Sequence, residues 1–246
     1  MSVPTAAMLV IGDEILSGRT RDRNIGHLAA VLTLAGIDLR EARVVGDDQA
    51  DIVAAVNALR ARYTYVFTSG GIGPTHDDIT ADAIAAAFGV SIGHDPATLK
   101  LLGDNYVARG IEFNEARRRM ARLPQGAGPI ANPVSLAPGF RLGNVFVMAG
   151  VPAIFEAMLD NAVPMLKGGL PMLSETVHCP LGEGAIGGPL GEIQKANPQT
   201  VIGSYPKFAD GRFWTELVVR SRDAAILAAA KAEVEAMVAR LMANPR

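Results

Sequence analysis

A short apolar run that stops at a cluster of glycines and then opens a helix restricts a chain to few architectures. Residues 65–89, YVFTSGGIGPTHDDITADAIAAAFG, are such a segment. Tyr65 to Thr68 read as a buried strand, Gly70, Gly71 and Gly73 as a turn, and residues 80–88 as a helix. A strand apolar along its whole length and followed directly by a helix belongs in a parallel sheet covered on both faces. Glycines let backbone N–H groups turn toward a phosphate with no Cβ in the way, and a helix N-terminus adds partial positive charge. The adjacent Asp77 and Asp78 have the wrong sign for holding phosphate and the right sign for a metal ion or water beside it. The segment points to a phosphate-binding turn with an acidic corner.

The same strand-then-helix unit precedes it twice. Residues 5–11 (TAAMLVI) form a first strand, and Ile25, Leu28, Ala29, Leu32 and Ala35 then repeat at helical spacing over 22–36, closed by Gly36. Residues 37–45 read as a second strand, and 51–62 as a helix with Ile52, Ala55, Val56 and Leu59 on one side; the third strand is 64–68. This alternation predicts a doubly wound α/β sheet. In such sheets ligands bind beyond the carboxyl ends of the strands, where the strand order reverses. Gly12-Asp13-Glu14, Asp47-Asp48 and the glycine turn all follow strands, so chain order alone gathers three polar clusters at one sheet edge.

Further on, residues 95–122 have a helical pattern with a break near Gly110, and 144–149 read as another buried strand before a helix at 153–163. The Pro- and Gly-rich stretch 123–139 is expected to be irregular and long enough to serve as a functional loop. A composition shift at 167–171 divides a first domain, 1–167, from a small α+β domain, 168–246. The second is expected to hold strands at 174–179, 199–205 and 213–220, a helix near 185–196 and a closing helix at 222–243, with Asp210-Gly211 marking a tight turn between two strands.

Composition narrows the function classes. A formal net charge of −2 argues against a protein that coats nucleic acid. Cys179 is the only cysteine, which leaves no internal disulfide and no thiolate cluster. The apolar run after Met-Ser-Val-Pro is too short for a signal peptide, and no segment nears the roughly 20 apolar residues that span a bilayer. The expectation is a soluble cytoplasmic protein with no nucleic-acid or membrane partner.

Each motif has a plainer reading beside the functional one. GGIG is neither the three-glycine dinucleotide pattern nor a P-loop, since no Lys-Ser/Thr follows Gly73, and a purely structural turn is its alternative. Asp78-Ile79-Thr80 also reads as a helix cap, and Asp47-Asp48 as a cap for the helix at 51. One residue of each pair suffices for a cap. A carboxylate from each pair would then be left to share a divalent cation, which Mg²⁺ sites complete with substrate phosphates. Such an ion is a standard route to pyrophosphate cleavage. The loop 12–24 adds Ser17, Arg19, Thr20, Asp22 and Asn24, either as ligand contacts or as a solvated loop and cap. Arg117, Arg118, Arg119 and Arg122 read as a solvated helix face, with reach to a ligand phosphate as the alternative. The four histidines lack metal-ligand spacing, and no G-x-S-x-G supports serine chemistry.

GDEILSGRTRDRN, VVGDD, TSGGIGPTHDDITADAIAAAFG, NEARRRMARLPQGA, NPVSLAPGF and MAGVPAIFEAM together resemble the N-terminal, MoaB/Mog-like molybdopterin-binding domain of the CinA (competence/damage-inducible protein) family. IGSYPKFADGRFWTELVVRSRD is similar to the small domain that follows in that group. The resemblance covers about residues 5–243 and does not extend to the amidase domain that many members carry. It implies a three-layer, doubly wound, mostly parallel sheet followed by the small α+β domain, and a homo-oligomer. It implies Asp47 and Asp78 as the essential carboxylates and metal ligands, with Asp77 assisting. The ligand-lining positions it implies are Gly12, Asp13, Glu14 and Ser17 after the first strand, and Thr68, Ser69, Gly70, Gly71, Gly73, Pro74 and Thr75 around the glycine turn. Asn132 and Pro133 in the long loop, and Gly150 and Pro152 after the 144–149 strand, complete them. The activity implied is hydrolysis of an ADP-containing pyrophosphate such as ADP-ribose or FAD with Mg²⁺, Mn²⁺ or Co²⁺. Adenylylation of molybdopterin and non-catalytic binding of a pterin or nucleotide are the alternatives. Two departures stand out. Ser135-Leu136 replaces a common glycine before Ala-Pro-Gly, which implies a reshaped loop rim, and Ala153-Ile154-Phe155 replaces a usual acidic residue after Gly-Val-Pro, which removes a polar ligand contact.

Overall fold

The computed structural model describes residues 3–243, and the chain divides into two compact units between Gly169 and Leu170. The first unit runs β1 (Thr5–Ile11), α1 (Asp13–Leu16), α2 (Asn24–Leu34), β2 (Asp38–Val45), α3 (Gln49–Arg62), β3 (Tyr65–Ser69) and α4 (Thr80–Phe88). It continues with β4 (Ile92–His94), α5 (Pro96–Ala108), α6 (Glu115–Arg118), β5 (Arg122–Pro124), β6 (Gly128–Ile130), β7 (Gly139–Leu142), β8 (Val145–Met148) and α7 (Pro152–Ala162). The main sheet has the order β2-β1-β3-β8-β7-β6, parallel from β2 to β8 and antiparallel beyond. The doubly wound sheet expected from the alternation, and the mostly parallel three-layer form implied by the resemblance, are therefore present.

Burial follows the period of two along each strand. Ala7, Leu9 and Ile11 of β1 face one core with Ile52, Val56 and Leu59 of α3 and Ile84 of α4. Ala6, Met8 and Val10 face the other, with Leu28 and Leu32 of α2 and Phe155 and Leu159 of α7. Two covered faces are why these strands read as unbroken apolar runs. The aromatic side chain at the second departure, Phe155, is fully buried in this core, so the position contributes packing.

The stretch 123–139 departs from expectation, because it holds the end of β5, all of β6 and the start of β7. Pro129 sits on β6, the edge strand of the sheet, where a missing N–H costs no ladder bond to a further strand. The 95–122 region is two helices, α5 and α6, followed by a short 3-10 turn at Arg119–Ala121.

The second unit consists of β9 (Leu173–Cys179), α8 (Glu183–Ala196), β10 (Val201–Ala209), β11 (Arg212–Ser221) and α9 (Ala224–Ala243). Its antiparallel sheet, β10-β11-β9, packs Val177, Cys179, Leu217 and Val219 against Ile186 and Leu190 of α8 and Leu227, Val234 and Met237 of α9. The β10–β11 turn is Asp210-Gly211, with φ of 51° and 72°. Positive φ at both central positions is what an Asp-Gly hairpin turn requires, as the sequence indicates. Among the described residues no helix is long and apolar enough to cross a membrane.

Candidate functional site

The strand order reverses between β1 and β3: β2 lies on one side of β1, and β8 on the far side of β3. The glycine turn leaves β3 at this point. Gly70 has φ +111°, its N–H donates to the Met148 carbonyl at 3.1 Å, and a Cβ built on it would lie 2.1 Å from the Ile11 carbonyl oxygen. Glycine is therefore required where the ends of β1, β3 and β8 meet. The turn then folds back onto the first residue of α4. Thr80, fully buried, donates from Oγ1 to the Gly70 carbonyl at 3.0 Å and from its N–H to the Gly71 carbonyl at 3.0 Å. The N–H groups of Gly71, Ile72 and Gly73 donate to no protein acceptor among the described residues. The turn thus has a structural role at Gly70 and unspent donors after it.

The four aspartates of the two pairs have different surroundings. Asp48 caps α3, accepting from the N–H groups of Ala50 at 2.8 Å and Asp51 at 3.0 Å. Asp47 is bonded instead to the loop after β1: its Oδ2 accepts from the Asp13 N–H at 3.0 Å, and its own N–H donates to Asp13 Oδ1 at 3.4 Å. Burial, and then the negative charges of Asp13, Glu14 and Asp77, push the Asp47 carboxyl above its ordinary range, opposed by the Asp13 N–H. Asp78 turns back within its own loop, where Oδ2 accepts from the Thr75 N–H at 2.8 Å and the Thr75 hydroxyl at 2.5 Å. It does not cap α4, whose N-cap is Ile79 with no side-chain bond. The same Thr75 hydroxyl holds the exposed Asp77 carboxyl below its ordinary range, helped by the Asp77 N–H.

Among the described residues no group of three or more His, Cys, Asp or Glu side chains is placed to hold a metal ion by itself. The surroundings of Asp47 nevertheless suit a cation, because the charges of Asp13, Glu14 and Asp77 all act on its carboxyl with no basic group among the causes of its shift. A site of one or two carboxylates completed by substrate phosphates fits that donor set.

The other expected positions fall into two groups. Gly150 and Pro152 line a small cleft with Glu14, Asn24 and Ser69. Asn24, singled out in the sequence only as one polar group among several, is 3 % exposed and joins three elements. Its Nδ2 donates to Ser69 Oγ at 2.7 Å and to the Gly150 carbonyl at 2.9 Å. Thr68 is wholly buried in β3, with no partner for Oγ1 among the described residues. Ser17 closes α1, Gly12 precedes it, and Pro74 is exposed on the rim of the turn. Asn132, in contrast, spends its side chain on its own loop. It donates to Ser135 Oγ and the Ala137 carbonyl and accepts from the N–H groups of Val134 and Ser135, while Pro133 beside it is exposed. Leu136 in that loop has φ +65°, the left-handed conformation natural to glycine, so the backbone keeps a glycine shape at the first departure although the residue is leucine.

Residues 7–168 match a family model described as "Probable molybdopterin binding domain", and residues 171–245 match one described as "FAD synthase, middle domain". A protein of Pyrobaculum calidifontis is 36% identical over 214 residues, covering 83% of this chain and 82% of the relative. A CinA-like protein of Desulfosudis oleivorans is 39% identical over 162 residues, 64% of this chain and 39% of its own length. The crystal structure of the protein CinA with unknown function from Thermoplasma acidophilum aligns at TM-score 0.62 and 33% identity, covering 66% of this chain and 98% of that one.

Proposed function

Because the chain belongs to the family of CinA-like, MoaB/Mog-type molybdopterin-binding domains, we propose that it is a nucleotide pyrophosphatase acting on an ADP-containing small molecule. The observation that carries this reading is the juxtaposition at the strand-order reversal. Unpartnered amides of Gly71, Ile72 and Gly73 follow β3, while Asp47 follows β2 and is bonded to Asp13 in the loop after β1, the strand between them. Donors for a phosphoryl oxygen and carboxylates for an attacking water are the two halves that hydrolysis of a pyrophosphate needs. The amides of the turn bind phosphoryl oxygens of the substrate. Ionised Asp47, its basicity raised by burial and by its acidic neighbours, takes the proton of a water whose oxygen bonds to one phosphorus. The bridging P–O bond breaks, the bridging oxygen keeps the electron pair, and two phosphate monoesters leave. Asp78, through Thr75, holds the turn in shape. Asp47 and Asp77, with Asp78 at the loop's base, would hold a divalent ion, which when bound supplies charge neutralisation between the phosphates. The chain is proposed to work in the cytoplasm as a homo-oligomer.

Incubating the protein with ADP-ribose or FAD and Mg²⁺, Mn²⁺ or Co²⁺ tests this, and no AMP release under any metal sinks it. A second reading is adenylyl transfer to molybdopterin at the same site; the family model's description supports the ligand class. Restoration of molybdoenzyme activity in a strain lacking its adenylyltransferase would support that one. A non-catalytic pterin or nucleotide binder would instead show ligand-induced thermal stabilisation that survives Asp78→Asn, with no turnover.

A further inference from the structure

Four arginines crowd residues 117–122, and three of them are engaged. Arg117 donates to the Glu112 carbonyl and lies over the Tyr106 ring. Arg118 donates to the Phe113 carbonyl and lies over that ring. Arg122 makes a two-pronged pair with Asp82. Arg119, half-buried on the 3-10 turn, has no carboxylate within ion-pair distance among the described residues. Its one bond is from Nη2 to the Asp78 carbonyl oxygen at 3.2 Å. A guanidinium has five donors, so most of its donors are unspent.

Arg119 lines a shallow, solvent-open cleft with Gly71, Ile72, Gly73 and Asp78. Each acidic side chain in the lining already has a partner: Asp82 has Arg122, and Asp78 has the Thr75 N–H and hydroxyl. The groups with donors to spare are one guanidinium, bonded only to the Asp78 carbonyl, and three successive backbone amides. That combination is specific, because a planar guanidinium fork matches phosphate oxygens and consecutive N–H groups form an anion-binding concavity.

We propose that this cleft is an anion subsite in which Arg119 and the amides of Gly71, Ile72 and Gly73 hold one phosphoryl group of the substrate. The inference rests on the pyrophosphatase reading and deepens it, assigning the phosphate to the α4 side of the turn and naming its cation. Tethering Arg119 to the Asp78 carbonyl also links phosphate occupancy to the position of the acidic corner.

Calorimetric titration of the full chain with inorganic pyrophosphate in metal-free buffer, run beside AMP release from ADP-ribose, tests the subsite. Arg119→Gln keeps an N–H donor for the Asp78 carbonyl and removes the charge, Arg119→Lys keeps the charge and loses the fork, and Arg118→Gln is the control. Wild type is expected to bind pyrophosphate with an affinity that falls as salt rises. Arg119→Gln weakens it at least tenfold, Arg119→Lys falls between, and Arg118→Gln stays within twofold. An Arg119→Gln protein binding within twofold of wild type overturns the proposal, as does a wild type that does not bind. Should Arg119→Gln fail to fold, Arg119→Lys decides, with a threefold or greater loss in support and unchanged affinity against. Arg119-dependent binding without AMP release from any substrate keeps the subsite and removes the hydrolase, whereas AMP release undiminished in Arg119→Gln does the reverse.

Discussion

Asp13 and Asp47 hold each other across two loops, each carboxylate accepting from the other's backbone N–H, at 3.0 Å onto Asp47 and 3.4 Å onto Asp13. The bonds fix the geometry, but they bring two like charges together, with Glu14 and Asp77 adding to the repulsion. An acid raised in the folded state favours folding below its unfolded-state pKa, near 3.8 here, and loses that advantage as pH rises through the higher folded value. Asp47→Asn keeps an acceptor for the Asp13 N–H and removes the charge. It should raise the melting temperature by about 1–3 °C at neutral pH, with no gain at pH values below the unfolded-state pKa, while abolishing AMP release. Calorimetry across pH reads the first effect. The acid limb of wild-type turnover should lie above the ordinary carboxylate range.

Gly70→Ala brings a Cβ to 2.1 Å from the Ile11 carbonyl at a backbone φ of +111°. Backbone, not a flexible side chain, receives the clash, so β1 or β3 must shift. Strain and overpacking together should cost about 2–5 kcal/mol. Gly126→Ala also has positive φ but only an ordinary contact with Leu142, and should lose less. Urea unfolding of the two variants gives the comparison, and equal midpoints would contradict the contact at Ile11.

How much of this was legible in the sequence depends on how local the cause is. β1, β3 and β8 were legible because each is buried on both faces, and so was the Asp210-Gly211 turn, because its dihedrals are set by its own two residues. The three-residue strands β4, β5 and β6 were not. Their ladders join β4 to β5 and β6 to β7 across intervening chain, and Gly128-Pro129 carries no strand signal. At the site, the three polar clusters were legible from chain order. Their division of labour was not: Asp77 and Asp78 are adjacent in sequence, and only the fold shows Thr75 bonding Asp78 while the charge of Asp77 reaches Asp47. Nor does a run of arginines say that the 3-10 turn after α6 carries Arg119, and not its neighbours, to the Asp78 carbonyl.

That division makes Asp77 and Asp78 separable by mutation. Asp78→Ala removes the acceptor of the Thr75 N–H and the 2.5 Å acceptor of its hydroxyl, which also acts on Asp77. It should cost about 1–2 kcal/mol and speed hydrogen exchange at the Thr75 amide. Asp77 is exposed, so Asp77→Ala should stay within about 0.5 kcal/mol of wild type and leave that exchange unchanged while lowering turnover. If Asp77→Ala instead frees the Thr75 amide, the two residues have been assigned the wrong way round.

Leu136 provides a test of backbone conformation that is independent of chemistry. Its φ of +65° lies in a loop held by Asn132, which bonds Ser135 and the Ala137 carbonyl through Nδ2 while its carbonyl accepts from the Leu136 N–H at 3.0 Å. A left-handed residue other than glycine costs roughly 1–2 kcal/mol, and the surrounding bonds keep it there. Replacing Leu136 by either alanine or glycine removes the same half-buried side chain beyond Cβ. The difference between the two variants therefore isolates the dihedral cost. Alanine ordinarily exceeds glycine in stability because glycine loses more backbone entropy on folding. Here the order should reverse, with Leu136→Gly more stable than Leu136→Ala by about 1 kcal/mol in chemical denaturation. An alanine variant as stable as the glycine one, or more so, would mean that the loop does not hold residue 136 in the left-handed region.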